Sequence, residues 1–202
     1  MLSYPYNLVF PLGFFCFGTL FGNALVVISV FRESALHTVT NYLIVSLAFA
    51  DISLGIIVAP IAGWTIIDNE FWRVNQRWCN IFIMVDVFFC TASILNLVAI
   101  SFDRFLAVTQ PLKYSHQSQT YRIVLIIIAV WITSLIISMP LVIGQNVPDD
   151  GKFLQLNDCI MYNSTYIIWS SVGSFYIPFT LMIFLYNRIF NIEASKLLQA
   201  FL

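Results

Sequence analysis

The chain has 202 residues, of which 60% are apolar and 9% charged, with a formal net charge of −1. A soluble domain carries roughly 45–50% apolar and about 25% charged residues. A mean hydropathy of +0.88 therefore excludes a water-soluble globule, because too few polar side chains exist to cover its surface. The charge balance leaves no basic face for a nucleic acid, and high hydropathy at near-zero charge excludes intrinsic disorder. The composition predicts an all-α, polytopic bundle of transmembrane helices.

A bilayer core about 30 Å thick needs about 20 apolar residues as helix. Five runs reach that length: 8–31, 42–67, 79–108, 123–143 and 166–190, read as one transmembrane domain over 1–202. Pro60 is set to kink the second run and Pro178 the fifth; membrane helices tolerate proline where neighbouring groups satisfy the freed carbonyl. Polar stretches at 32–39, 68–78, 109–122 and 145–163 join the runs, and 191–202 reads as a short, mildly amphipathic tail. The first run lacks a basic lead and is too long for a cleavable signal peptide.

Orientation follows from the positive-inside rule. Arg32, Arg104, Lys113, Arg122, Arg188 and Lys196 lie on one side, against Arg73, Arg77 and Lys152 on the other. That count places the N-terminus outside. Cys79 and Cys159 then both face the oxidising side as a candidate disulfide, whereas Cys16 and Cys90 sit inside apolar runs as free thiols. Asn163-Ser164-Thr165 is an outer N-glycosylation sequon, close to the fifth helix.

Ionisable groups in the bilayer each cost at least ~2.5–3.5 kcal/mol on insertion scales and mark function. Asp86 follows Cys79 by two helical turns, about 10 Å deeper, at the floor of an outward-facing pocket where a ligand ammonium would stabilise it. The alternative is a neutral or helix-paired carboxyl, but no Lys or Arg in the outer half stands ready to pair. Asp86, Cys90, Ser93, Leu97, Ile100 and Arg104 recur at helical spacing as one stripe of the third helix; most of its middle is expected to pack against other helices. Ser170, Ser171 and Ser174 lie together on the fifth helix. Such serines often bond back to their own helix, yet opposite an Asp they suit a ligand with an amine at one end and phenolic hydroxyls at the other. Asp51 with Ser93 could hold Na⁺ or a proton; the alternative is a polar knot satisfied by Asn23 and Asn96.

These residues match a family pattern. Gly22-Asn23 with Val26, Ser46-Leu47-Ala48-Phe49-Ala50-Asp51, Trp72, Cys79, Asp103-Arg104-Phe105, Trp131, Cys159, Pro178 and Tyr186 occur in order, and the chain resembles a class A, rhodopsin-type G-protein-coupled receptor over its first five helices. Asp86 occupies the amine-binding position of aminergic members. The stretches 90–97 and 170–179 are similar to dopamine receptors of the inhibitory branch.

The resemblance implies a receptor for dopamine, or alternatively tyramine, octopamine or serotonin, coupled to a Gi/o heterotrimer that lowers cyclic AMP, as a multi-pass plasma-membrane protein able to form receptor oligomers. It implies that Asp86 binds the ammonium, that Val87, Cys90 and Phe175 shape the pocket with the three serines, and that Ile160 lids it. Asp51 and Ser93 would belong to an allosteric sodium site, with no other cofactor or metal. Ile94 and Pro178 would form the core switch, and Asp103, Arg104, Leu112 and Tyr186 would serve G-protein coupling and activation. Phe105 departs from the family's usual Tyr. The family's third inner loop and helices six and seven follow where this sequence stops, so the chain alone is expected neither to bind dopamine tightly nor to signal. A cation-coupled transporter is a weaker reading, because no internal repeat is found. An enzyme is weaker still: no nucleophile–base pair or metal set converges, and His37 and His116 both lie on inner loops.

Overall fold

The computed structural model describes residues 5–38, 40–67, 72, 74–111, 114, 119–144, 146 and 159–201. Among them there is no strand, and five helices are long and apolar enough to cross a membrane. Helix α1 is Pro5–Arg32. Helix α2 is Asn41–Ile67, with a π turn at Leu54–Val58. Helix α3 is Gln76–Thr109 and α4 is Gln119–Ser138, tightening into a 3-10 turn at Met139–Leu141 around Pro140. Helix α5 comprises Ser164–Ser171, a π turn at Val172–Tyr176, and Ile177–Phe201.

At α3 and α5 side-chain caps rather than hydropathy set the helix start. Asn75 is extended (φ −60°, ψ 147°) and its side chain accepts the Arg77 N–H at 3.1 Å, so α3 begins at Gln76 instead of Cys79. Asn163 does the same for α5, accepting the Tyr166 N–H at 2.9 Å. Each supplies one of the acceptors that a helix N-terminus lacks. At its other end α5 meets neither Pro nor Gly, and it continues to Phe201 through the stretch read as a tail.

The two π turns share a cause. In each, the next N–H, of Ala59 or Ile177, bonds the carbonyl five residues back, of Leu54 or Val172. The residue after that is Pro60 or Pro178, which has no N–H to give. The carbonyl five residues before each proline, of Gly55 and of Gly173, thereby loses its partner in the π ladder. In α2 the deficit is met from α1, where the Cys16 thiol donates to the Gly55 carbonyl at 3.3 Å. The approach is also close: a Cβ on Gly55 would lie 2.7 Å from Leu20 Cδ2 and 3.0 Å from its Cγ, so the Leu20 side chain would have to shift. Helix α1 docks on α2 at this turn.

Two apolar clusters hold α2, α3 and α4 together. Leu43, Ala99, Ile123 and Val130 form the inner one. Trp72, Cys79, Ile83 and Leu141 form the outer one, with Val87, Cys159, Met161 and Tyr166 packed against it. The outward faces stay apolar; Phe10, Phe14, Phe17 and Phe21 of α1 are all more than half exposed, as suits helices whose solvent is lipid.

The close approach at Gly55 is testable. Gly55→Val should destabilise the chain by about 1–3 kcal/mol, the usual overpacking cost, read as a lower thermal midpoint in detergent. Adding Leu20→Ala should recover most of the loss. Equal midpoints for parent and Gly55→Val would mean that α1 does not dock there.

Candidate functional site

The outer end is tied by a disulfide between Cys79 of α3 and Cys159, with Cα atoms 5.5 Å apart and a sequence separation of 80. It draws the segment before α5 onto α3. Met161 packs against the outer cluster, as does Val87, the neighbour of Asp86, whereas Ile160 is half exposed. The Tyr166 hydroxyl donates to the Ile137 carbonyl at 2.9 Å, joining α5 to α4 at the same level.

Asp86 lies in the outer half of α3, partly buried. Among the described residues its hydrogen-bond partner is the Cys90 thiol, one turn along α3, at 3.5 Å. A thiol is a weak donor, and no described cation pairs with this carboxylate. On α5, Ser170, Ser171 and Ser174 are all partly buried. Ser174 donates to the Ser170 carbonyl at 2.6 Å and Ser170 to the Ile167 carbonyl at 3.2 Å. These two hydroxyls are thus satisfied within their helix, and each oxygen keeps acceptor capacity. Phe175, half exposed, stacks on Phe179 at 5.8 Å, and Pro178 is fully buried beneath.

Deeper in the bundle, Ser93 Oγ donates to Asp51 Oδ1 at 2.7 Å, joining α3 to α2. The polar knot with Asn23 and Asn96 does not form. Asn23 donates to the Thr19 carbonyl and Asn96 to the Ala92 carbonyl, each at 2.9 Å within its own helix. Asn96 Oδ1 is buried and without a hydrogen-bond partner. Trp131 Nε1 donates to Ser46 Oγ at 3.0 Å, tying α4 to α2, and Phe49, Phe88 and Phe89 gather around its ring. Along the α3 stripe the middle is engaged in part: Ser93 bonds to Asp51 and Ile100 packs against the inner cluster, whereas Cys90, Leu97 and Arg104 are exposed.

At the inner end the neighbours Asp103 and Arg104 part company. Asp103 is fully buried and holds Arg122 Nη2 at 3.0 Å, with the Thr40 and Tyr114 hydroxyls each at 3.1 Å from Oδ2. The Arg122 guanidinium also lies 5.0 Å from the Tyr114 ring centre, a cation–π contact. One carboxylate so gathers α2, α4 and Tyr114 onto α3. Arg104 is exposed, as is Tyr186 on α5. Leu112 lies outside the described residues. Removing one partner of a buried ion pair costs about 3–5 kcal/mol; with two hydroxyls still on Asp103, Arg122→Met should lie near the low end. Thermal unfolding in detergent checks this, and Asp103→Asn in the Arg122→Met background should restore part of the midpoint.

The arrangement along α3 is a partly buried carboxylate near the disulfide, a partly buried polar pair deeper in the bundle and a buried ion pair at the far end, and the sequence that builds it has known relatives. The sequence profile described as 7 transmembrane receptor (rhodopsin family) matches residues 22–197. The chain is 45% identical over 178 residues to the Dopamine D2-like receptor of Drosophila melanogaster, covering 88% of this chain and 19% of that protein. It is 42% identical over 180 residues to the D(3) dopamine receptor of Mus musculus, covering 88% and 39%. It is also 42% identical over 181 residues to the Probable G-protein coupled receptor No9 of Amphibalanus amphitrite, covering 86% and 38%. The chain thus spans well under half the length of these relatives. They are receptors and not enzymes, and the chain belongs to the rhodopsin family of seven-transmembrane receptors.

Proposed function

We propose that the chain is the ligand-sensing part of a plasma-membrane receptor for a biogenic amine, dopamine first, with its N-terminus outside and a Gi/o heterotrimer as its inner partner. The observation that carries this is Asp86: a carboxylate within the membrane span, partly buried, whose described partner is one weak thiol. A charge kept there against an insertion cost calls for a counter-charge, and an ammonium ion supplies it. The serines of α5 offer hydroxyl oxygens to a catechol. Two of the relatives at 42–45% identity are dopamine receptors by name. The inner face that would meet the G protein carries the exposed Arg104 and Tyr186. Asp51 and Ser93 supply oxygens for an allosteric sodium ion; such a hard cation takes oxygen ligands, so its further ligands would be other groups or water.

Because the chain covers a minor part of its relatives' lengths, the test uses a seven-helix receptor that joins it to the sixth and seventh helices of the Drosophila relative. Radiolabelled dopamine should bind saturably, and Asp86→Ala should weaken binding roughly thirtyfold or more, as truncating one side of a desolvated charge pair does. Undiminished affinity in Asp86→Ala would refute the amine reading. In the same receptor the ratio of dopamine to tyramine affinity should collapse when Ser170, Ser171 and Ser174 are all changed to Ala. A ratio that stays put would make the serines helix-bonding groups and leave the choice among amines to tyramine, octopamine or serotonin.

A further inference from the structure

Asn146 is buried, 4% exposed, and lies in the connection between α4 and α5. Its side-chain amide bridges the segment that follows Cys159. Nδ2 donates to the Ile160 carbonyl at 3.2 Å, and Oδ1 accepts the Tyr162 N–H at 2.7 Å. The second Nδ2 proton goes to Asn80 Oδ1 of α3 at 2.9 Å, and Asn80 in turn accepts from Gln76 at 3.4 Å. The carbonyl of one residue and the N–H of the residue two along point the same way from an extended chain, the pair that a neighbouring strand would occupy. The Asn146 amide stands in for that strand. It therefore fixes the register of residues 160–162, with alternate side chains to opposite faces. Met161 packs against the outer cluster, and Ile160 is left half exposed.

We propose that Asn146 is a positioning residue for the amine pocket: together with the Cys79–Cys159 disulfide it holds the 160–162 segment at the pocket mouth in the one register that turns Ile160 away from the core. The disulfide fixes where the segment starts. It cannot fix rotation of the residues after it, because a single tether leaves their backbone torsions free. Asn146 supplies the second and third attachments, through groups on two residues, and anchors them to α3 through Asn80. This inference rests on the amine-receptor reading for the pocket, though the clamp itself does not.

The clamp is tested on the 202-residue chain in lipid nanodiscs by hydrogen–deuterium exchange. In Asn146→Ala the Tyr162 amide should exchange roughly tenfold faster, the change expected for one lost amide hydrogen bond. The Ile167 amide, bonded to the Asn163 carbonyl in the first turn of α5, should exchange as before, which separates local release from unfolding. Unchanged Tyr162 exchange, or equal acceleration at Ile167, overturns the clamp. The positioning role is tested in the seven-helix receptor: Asn146→Ala should speed dissociation of radiolabelled dopamine at least threefold with little change in association. Faster Tyr162 exchange with unchanged dissociation overturns the role and leaves a loop anchor only. Absence of saturable binding in the parent receptor itself overturns the amine reading, and the positioning role with it.

Discussion

Lipid offers no hydrogen bonds, so every polar group within the membrane span must find its partner in the protein. This one constraint orders the structure. It turns Ser170, Ser174, Asn23 and Asn96 back onto carbonyls of their own helices. It couples Asp51 to Ser93 and Trp131 to Ser46, so that satisfying a side chain also joins two helices. It gathers three residues around Asp103. At the α2 π turn it recruits the Cys16 thiol for the Gly55 carbonyl that Pro60 deprives of a donor. Against that background Asn96 Oδ1 stays without a partner, and Asp86 is the carboxylate whose described partner is a single weak thiol.

Satisfied and under-satisfied carboxylates divide the molecule by role. Asp103 is used up in holding α2, α3 and α4 together, and its burial leaves the neighbouring Arg104 exposed at the inner face. Asp51 serves the middle of the bundle. Asp86 does little for the helices around it. Its surroundings instead are shaped by groups that act at a distance in sequence: the disulfide, the outer apolar cluster and the Asn146 amide.

Much of this was legible in the chain itself, where hydropathy alone decides. The five spans follow from run length, because lipid imposes a length that composition reports directly. Helix ends were less legible, since the caps Asn75 and Asn163 lie in polar stretches that hydropathy ignores. The π turns needed the ladder to be followed as far as the proline: Gly55 and Gly173 carry no signal until Pro60 and Pro178 are seen to withhold an N–H. The serines admitted two readings, and the structure displays the helix-bonded one for two of them without removing their acceptor capacity. For Asp51 the neighbour in space proved to be Ser93, with Asn23 and Asn96 engaged in their own helices. Asn146 was invisible, because its partners stand 14, 16 and 66 residues away and only folding brings them together.

The central claim is that Asp86 is retained for a ligand and Asp103 for the fold. Thermal midpoints of the 202-residue chain in detergent, compared for parent, Asp86→Asn and Asp103→Asn, test it most directly. The account predicts that Asp86→Asn leaves the midpoint unchanged or raises it, while Asp103→Asn lowers it by breaking the pair with Arg122. A fall for Asp86→Asn as large as that for Asp103→Asn would contradict the account and make Asp86 a structural group.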